Sequence, residues 1–116
     1  MEHKDLEIVK NTTRIYELII KNKETRIVDD ITGWAVYFIA KENMKDSDTG
    51  APIYKKVTSH VDAVNGETKI TLTPTDTDIT AGNYYYAISY KDDEGNEEVL
   101  YWGKLKISET VHKNRA

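Results

Sequence analysis

Few side chains in this sequence stand at spacings suited to catalysis. A nucleophilic enzyme needs a serine or cysteine within hydrogen-bond reach of a base that a third group orients. The chain has no cysteine and three histidines, of which His3 and His112 lie near the ends of the sequence. His60 and Asp62 are the one pair close enough to act together, and we interpret them as a solvated turn after a strand. No phosphate-binding glycine loop is present, and we predict no catalytic residue, no cofactor and no enzymatic activity.

Acidic side chains cluster in predicted loops, where hard cations such as Ca²⁺ find oxygen ligands. The clusters are Glu42, Asp46 and Asp48; Asp76 and Asp78; and Asp92, Asp93 and Asn96. None has the spacing of a dedicated calcium loop. The second is more simply a capped turn and the third a hairpin turn. We therefore predict no metal site, with calcium at the first cluster as the alternative.

Two aromatic residues are the strongest candidates for binding. Tyr85 and Trp102 have the opposite parity to Tyr86 and Tyr101, which fall at predicted core positions, so we expect their rings to be exposed. Exposed aromatic area marks protein–protein contacts, and flat aromatic arrays also stack on sugar rings. We predict an interaction surface at Tyr85 and Trp102 for protein subunits. Carbohydrate binding and packing within a second face of the protein are the alternatives.

The elements that carry these residues are predicted β-strands, because apolar and polar residues alternate along most of the chain. The predicted strands are 6–10, 14–21, 34–41, 53–60, 67–73, 83–91 and 97–108. Trp34 shares its parity with Val36 and Phe38, so we interpret it as a buried structural tryptophan. Gly103 interrupts the last strand, as a bulge or bend would. Seven short strands joined by glycine-containing turns favour an all-β sandwich.

Length and composition agree with one small domain. The 116 residues suffice for a single core, and the absence of cysteine suits folding in a reducing cytoplasm. We expect one domain over 1–116, ordered over about residues 6–110 and followed by a short polar C-terminal tail.

Charge and hydropathy argue against several partners. The net charge is −4, and the densest charged runs, 46–48 and 92–94, are acidic, whereas nucleic-acid binders carry basic patches. No apolar run approaches the roughly 18 residues of a membrane span, and the N-terminus does not read as a signal peptide. We expect neither a nucleic acid nor a membrane as partner, and no export by a signal peptide.

One short motif resembles a known class of sandwich. Residues 81–86, Ala-Gly-Asn-Tyr-Tyr-Tyr, are similar to the start of the sixth strand in immunoglobulin-like domains. In those domains a tyrosine hydroxyl bonds back to the preceding corner. Tyr84 occupies that position, and Tyr86 stands where antibody domains carry their second cysteine. The resemblance implies an immunoglobulin-like β-sandwich of about seven antiparallel strands, with Tyr84 and Tyr86 as structural residues.

A longer series of motifs spans about residues 12–110. Its parts are 31–38 with Lys41-Glu42, Gly66-Glu67 with Ile70 and Leu72, 73–86, and 103–107. In order and spacing they resemble the immunoglobulin-like domain at the N-terminus of phage baseplate upper proteins. The resemblance implies a structural part of the virion, made and assembled in the cytoplasm of the bacterial host.

The partners implied are other baseplate proteins or further copies of this chain. In the resembled family a longer fibre or receptor-binding region follows the domain, whereas this sequence ends soon after the last predicted strand. That difference favours a stand-alone structural or adaptor part in the tail or baseplate. The other reading that we keep is a carbohydrate-binding or adhesin module.

Overall fold

The computed structural model describes residues 2–22 and 24–109. The predicted C-terminal tail, with His112, lies outside these ranges. The strands are β1 Glu2–His3, β2 Leu6–Val9, β3 Arg14–Ile19, β4 Ala35–Lys41, β5 Ile53–Val57, β6 Glu67–Leu72, β7 Gly82–Lys91 and β8 Glu97–Ser108. Over the described ranges, the helical elements are two single turns of 3₁₀ helix, at Asp48–Gly50 and Ala63–Asn65. None of these helices is long and apolar enough to cross a membrane.

The strands form two packed sheets, which confirms the predicted all-β sandwich. The larger sheet has the order β1-β8-β7-β4-β5, with β2 also paired to β8, and the smaller sheet is β3-β6. Within the larger sheet β1 and β2 run parallel to β8, while the other pairs in both sheets are antiparallel. The N-terminal strands therefore depart from the fully antiparallel arrangement that we expected.

The core lies between the two sheets and consists of alternate residues from both. Its buried members are Ile8, Ile20, Ile31, Val36, Phe38, Ala40, Ile53, Ile70, Leu72, Tyr84, Tyr86, Ile88, Leu105 and Ile107. Phe38 of the larger sheet stacks on Tyr16 of the smaller sheet, with 5.8 Å between ring centroids, and on Tyr86, with 5.5 Å. This column of three rings joins the sheets at the centre of the molecule.

Several strand boundaries differ from the prediction. The prediction missed β1, because two polar residues show no alternation. The strand expected from Trp34 begins at Ala35, and β5 ends at Val57 instead of continuing to His60.

Of the bulge or bend predicted at Gly103, the bulge is wrong, because β8 runs through Gly103, which pairs with Tyr86 in unbroken register. The register of β7 and β8 shifts between Ile88 and Ser89. Gly103 lies instead against the segment that joins β1 to β2. A Cβ at Gly103 would come within 2.4 Å of the Lys4 carbonyl oxygen and 2.9 Å of Asp5 Oδ1. Glycine is needed there because the backbone of one segment passes directly over another.

Hydrogen bonds hold the same joining segment against the larger sheet. The Lys4 N–H donates to the Trp102 carbonyl at 2.9 Å, and the Lys104 N–H donates to Asp5 Oδ1 at 2.9 Å. The Lys104 bond lowers the pKa of Asp5. The Tyr86 hydroxyl donates to the Lys4 carbonyl oxygen from inside the core. The two short N-terminal strands thus act as one edge of the larger sheet.

Candidate interaction surface

The outer face of the larger sheet carries a row of apolar and aromatic side chains. Strand pairing places Tyr54, Ile39, Ala87, Trp102 and His3 side by side across β5, β4, β7, β8 and β1. Strands lie about 4.8 Å apart, so the row is roughly 19 Å long. We use the name aromatic face for six residues on this side of the sheet: Tyr37, Ile39, Tyr54, Tyr85, Ala87 and Trp102.

Alternation along the strands explains why these side chains share a face. Val36, Phe38 and Ala40 point into the core, so Tyr37 and Ile39 point outward between them. An antiparallel sheet with one solvated face normally carries polar residues at such positions. Aromatic and aliphatic residues here leave apolar area in contact with water.

Exposure is greatest at the aromatic residues around the centre of the face. Tyr54 is 47% exposed, Tyr85 40% and Trp102 39%, whereas Ile39 and Ala87 between them are only partly exposed. Long side chains thus surround shorter ones. A partner side chain placed over Ile39 or Ala87 would contact rings on more than one side.

Two ring contacts hold the outer aromatic residues in place. His3 lies against Trp102 with 4.5 Å between ring centroids, and its Nε2 is 3.1 Å from Asp5 Oδ1. At the other end of the row, Tyr37 and Tyr54 meet edge to face at 6.1 Å. These contacts restrict rotamers before any partner binds, which lowers the entropy cost of association.

The rim of the aromatic face carries lysines together with two aspartates, Asp48 beside Lys41 and Asp5 beside His3. Lys56 Nζ lies 6.0 Å from the Tyr37 ring centroid. Lys104 and Lys41 lie opposite Tyr85 on the two neighbouring strands, and Lys41 forms an ion pair with Asp48. A surface with an aromatic centre and a charged rim favours a partner with an apolar centre and opposite charges at matching places.

The structure brings the two predicted surface residues together. Tyr85 pairs with Lys104 and Ala87 pairs with Trp102, so Tyr85 and Trp102 are diagonal neighbours on one face. Their role in binding remains a prediction. The sequence analysis missed Tyr37 and Tyr54, although their parity opposite to buried neighbours was a usable signal.

The predicted structural aromatics have different degrees of burial. The Tyr84 hydroxyl donates to the Thr80 carbonyl four residues earlier, which is the bond expected of a tyrosine corner. Tyr84 and Tyr86 are each 4% exposed. Trp34 is partly buried: it packs against the edge of the core and stacks on Tyr90 with 4.9 Å between ring centroids.

His60 is part of the scaffold and not of a solvated turn. Its Nδ1 is 2.8 Å from the Thr68 hydroxyl, and its Nε2 is 2.8 Å from the Trp34 carbonyl oxygen. A carbonyl oxygen only accepts, so Nε2 carries a proton. Asp62 binds elsewhere, accepting from the Asn65 side chain at 2.8 Å. Both ring nitrogens of His60 thus connect the segment after β5 to β6 and to the start of β4.

The acidic clusters are engaged in local structure. Partial burial alone would raise the pKa of Asp76, but hydrogen bonds from Thr73 and Lys55 outweigh it and lower that pKa. Asp92 accepts from the backbone N–H groups of Glu94 and Asn96 and closes the β7–β8 turn. Within the described ranges, no three His, Cys, Asp or Glu side chains are grouped so that they could hold a metal ion.

Comparison with profiles of known protein families gives no match to this chain, and comparison with curated protein sequences gives none either.

Proposed function

We propose that this chain is a structural protein of a phage or prophage virion. It serves as an assembly or adaptor part of the tail or baseplate, has no catalytic role, and acts through protein–protein contacts. The observation that carries the proposal is the aromatic face, an apolar surface on the outside of a sheet whose inner side already forms the core. The resemblance of the sequence to baseplate domains supplies the virion context.

The composition of the aromatic face supports protein contact. The centres of protein interfaces are enriched in tyrosine and tryptophan and poor in charge, and their rims are polar. A few large anchors usually dominate the binding energy. Trp102, Tyr85 and Tyr54 are anchors of this kind, and Lys56 and Lys104 lie at the rim.

The charges define the partner further. A tail or baseplate protein that covers this face should present apolar side chains at its centre and aspartate or glutamate where it meets Lys56 and Lys104. Because rim charges act mainly on association rates and are screened by salt, binding should become slower as the ionic strength rises.

The first test is to look for the chain in phage or tail-like particles released by the source cells. Mass spectrometry of purified particles should find its peptides at a fixed stoichiometry to other tail proteins. Particles that form without the chain would contradict the virion role.

A matched pair of variants tests the surface. The double variant Tyr85→Ser and Trp102→Ser should reduce incorporation into particles at least tenfold, because it removes two anchors. Val64→Ser is the control, since Val64 is 64% exposed but lies on the 3₁₀ turn away from this face. Equal incorporation of both proteins would show that the aromatic face is not the contact.

Carbohydrate binding is the second candidate, favoured by the exposed rings of Trp102 and Tyr85. Of the two tryptophans, Trp34 stacks on Tyr90, so glycan-dependent quenching should come from Trp102. Titration of a glycan panel against the protein and its Trp102→Phe variant measures this. Quenching by a glycan that disappears in the variant would replace the virion proposal if particles lack the chain.

A further inference from the structure

The smaller sheet has an open edge along β3. Among the described residues, β3 pairs with β6 alone. The Ile20 N–H donates to the Gly66 carbonyl at 2.9 Å on the β6 side. Hydrogen-bonding groups alternate from one side of a strand to the other. The backbone groups of Ile15, Glu17 and Ile19 therefore face away from β6, toward the free edge.

The free edge continues to Lys21. The Asn22 N–H donates to the Ile27 carbonyl at 2.9 Å, and the Asp29 N–H donates to the Ile20 carbonyl at 3.0 Å. Both bonds hold the following hairpin on the β6 side, so it leaves the backbone of Lys21 facing the edge.

The side chains on this edge are suited to strand pairing. Ile15 is 52% exposed and Ile19 57% exposed, and both point away from the core. Natural edge strands are usually protected by proline, bulges or charged side chains, and of these devices β3 has charges, at Arg14 and Glu17. The register of β3 with β6 runs without a break from Arg14 to Ile19, and proline is absent from this strand.

The sandwich is also open beside this edge. A groove of about 390 Å³ lies between the two sheets, lined by Glu2, Leu18, Ile19, Leu100 and Tyr101. The N-terminal strands pair with β8 of the larger sheet and not with β3, although the Arg14 side chain donates to the Glu7 carbonyl of β2 at 3.0 Å.

For pairing with a second copy of the chain, charge complementarity favours one register. In an antiparallel pair of β3 strands about a two-fold axis, placing Ile19 opposite Ile19 puts each Glu17 opposite Lys21 of the second copy. The alternative that places Ile15 opposite Ile19 puts the two Glu17 side chains opposite each other. Opposite charges across a strand pair stabilise it and like charges destabilise it.

We propose that two copies of this chain associate through β3 in the Ile19–Ile19 register, forming a continuous four-stranded sheet in the order β6-β3-β3-β6. Backbone hydrogen bonds give the pairing its affinity, and two Glu17–Lys21 pairs fix its register. The edge and the aromatic face lie on different sheets, so this dimer is independent of the proposed contact with tail proteins.

Analytical ultracentrifugation of the full chain over a concentration series tests the association. The unmodified protein should show a reversible monomer–dimer equilibrium. Glu17→Lys and Lys21→Glu should each raise the dissociation constant at least tenfold, because each replaces two attractive pairs with two repulsive ones. The double variant, which exchanges the two charges, should restore the dimer. A chain that stays monomeric at all concentrations would overturn the proposal.

Two further variants, Trp102→Ser and Glu17→Gln, test whether the contact lies at β3 and in which register. Glu17 also lies opposite Lys69 of β6, so Lys21→Glu is the cleaner single change, and circular dichroism verifies that each variant is folded. Trp102→Ser should leave the dissociation constant unchanged. Dissociation by Trp102→Ser would place the contact on the aromatic face, and tighter association of Glu17→Gln would indicate the other register. Either result would overturn the proposed dimer.

Discussion

The two sheets of this sandwich differ in the strands that form their edges. One side of the larger sheet ends in β1 and β2, two short strands separated by a segment that Gly103, Trp102 and Lys104 hold in place. In the described part of the chain, the smaller sheet ends in β3 on one side and in β6 on the other. The N-terminal strands thus cover the edge of β8, whereas β3 is left with one unpaired edge in the described residues.

The outer faces of the two sheets also differ in the side chains that they present. The larger sheet presents tyrosine and tryptophan rings with lysines around them. The smaller sheet presents Ile15 and Ile19 together with charges of both signs, including Glu17 opposite Lys69. The first arrangement suits contact through side chains, and the second suits contact through the backbone of an edge strand.

The largest effect is expected where the two sheets join. Phe38→Ala should lower the free energy of unfolding by about 3–5 kcal/mol, because it removes the middle ring of the Tyr16–Phe38–Tyr86 column. Urea unfolding measures this. Phe38→Leu is the control and should cost about half as much or less. A loss below about 1 kcal/mol for Phe38→Ala would mean that the column does not join the sheets.

An intermediate effect is expected at the closed edge. Gly103→Ala should cost about 2 kcal/mol, because the new Cβ would overlap the Lys4 carbonyl and force the joining segment away. Hydrogen exchange in residues 2–9 should become faster than in the rest of the larger sheet. Gly50→Ala is the matched control, since no atom lies within 4 Å of its added Cβ. Equal stability of the two variants would show that the edge is not held at Gly103.

The smallest effect, and one that depends on pH, is expected at Tyr86. Burial raises the pKa of Tyr86 to about 12, against about 10 in an unfolded chain. The neutral phenol thus stabilises the fold fully below pH ~10, and this contribution is lost as the pH rises toward 12. Tyr86→Phe should cost about 1 kcal/mol at neutral pH and reduce the alkaline loss of stability. Thermal melts between pH 8 and 12 measure both.

A second tyrosine gives the control for that pH profile. Tyr54 is 47% exposed on the aromatic face, so Tyr54→Phe should leave the alkaline transition unchanged. An alkaline transition that is the same in Tyr86→Phe as in the unmodified protein would show that another group is responsible.

Local pattern was sufficient to predict most of the fold. Alternation located β2 to β8 to within a few residues, and the motif around Tyr84 predicted a corner bond that the structure contains. The outward direction of Tyr85 and Trp102 also followed from parity, because a strand residue can face only one of two sides.

The features that could not be predicted depend on distant partners. Nothing in residues 2–9 indicates that they pair parallel to β8, because alternation specifies a face and not a neighbour. The role of Gly103 depends on a segment almost a hundred positions earlier. The two hydrogen bonds of His60 reach Trp34 and Thr68. Its role in holding the scaffold together could therefore not be predicted from the residues next to it in the sequence.

The pairing of β1 and β2 with β8 also has a consequence for the time course of folding. The bond from Lys104 to Asp5 spans 99 positions, and the bond from Ser108 to Glu7 spans 101. During synthesis β1 and β2 leave the ribosome before β8, so they cannot pair with β8 until it has also been synthesised. Contacts of this sequence separation slow folding. We expect the N-terminal segment to be the last part of the chain to acquire protection during refolding, after β4, β7 and β8 have assembled.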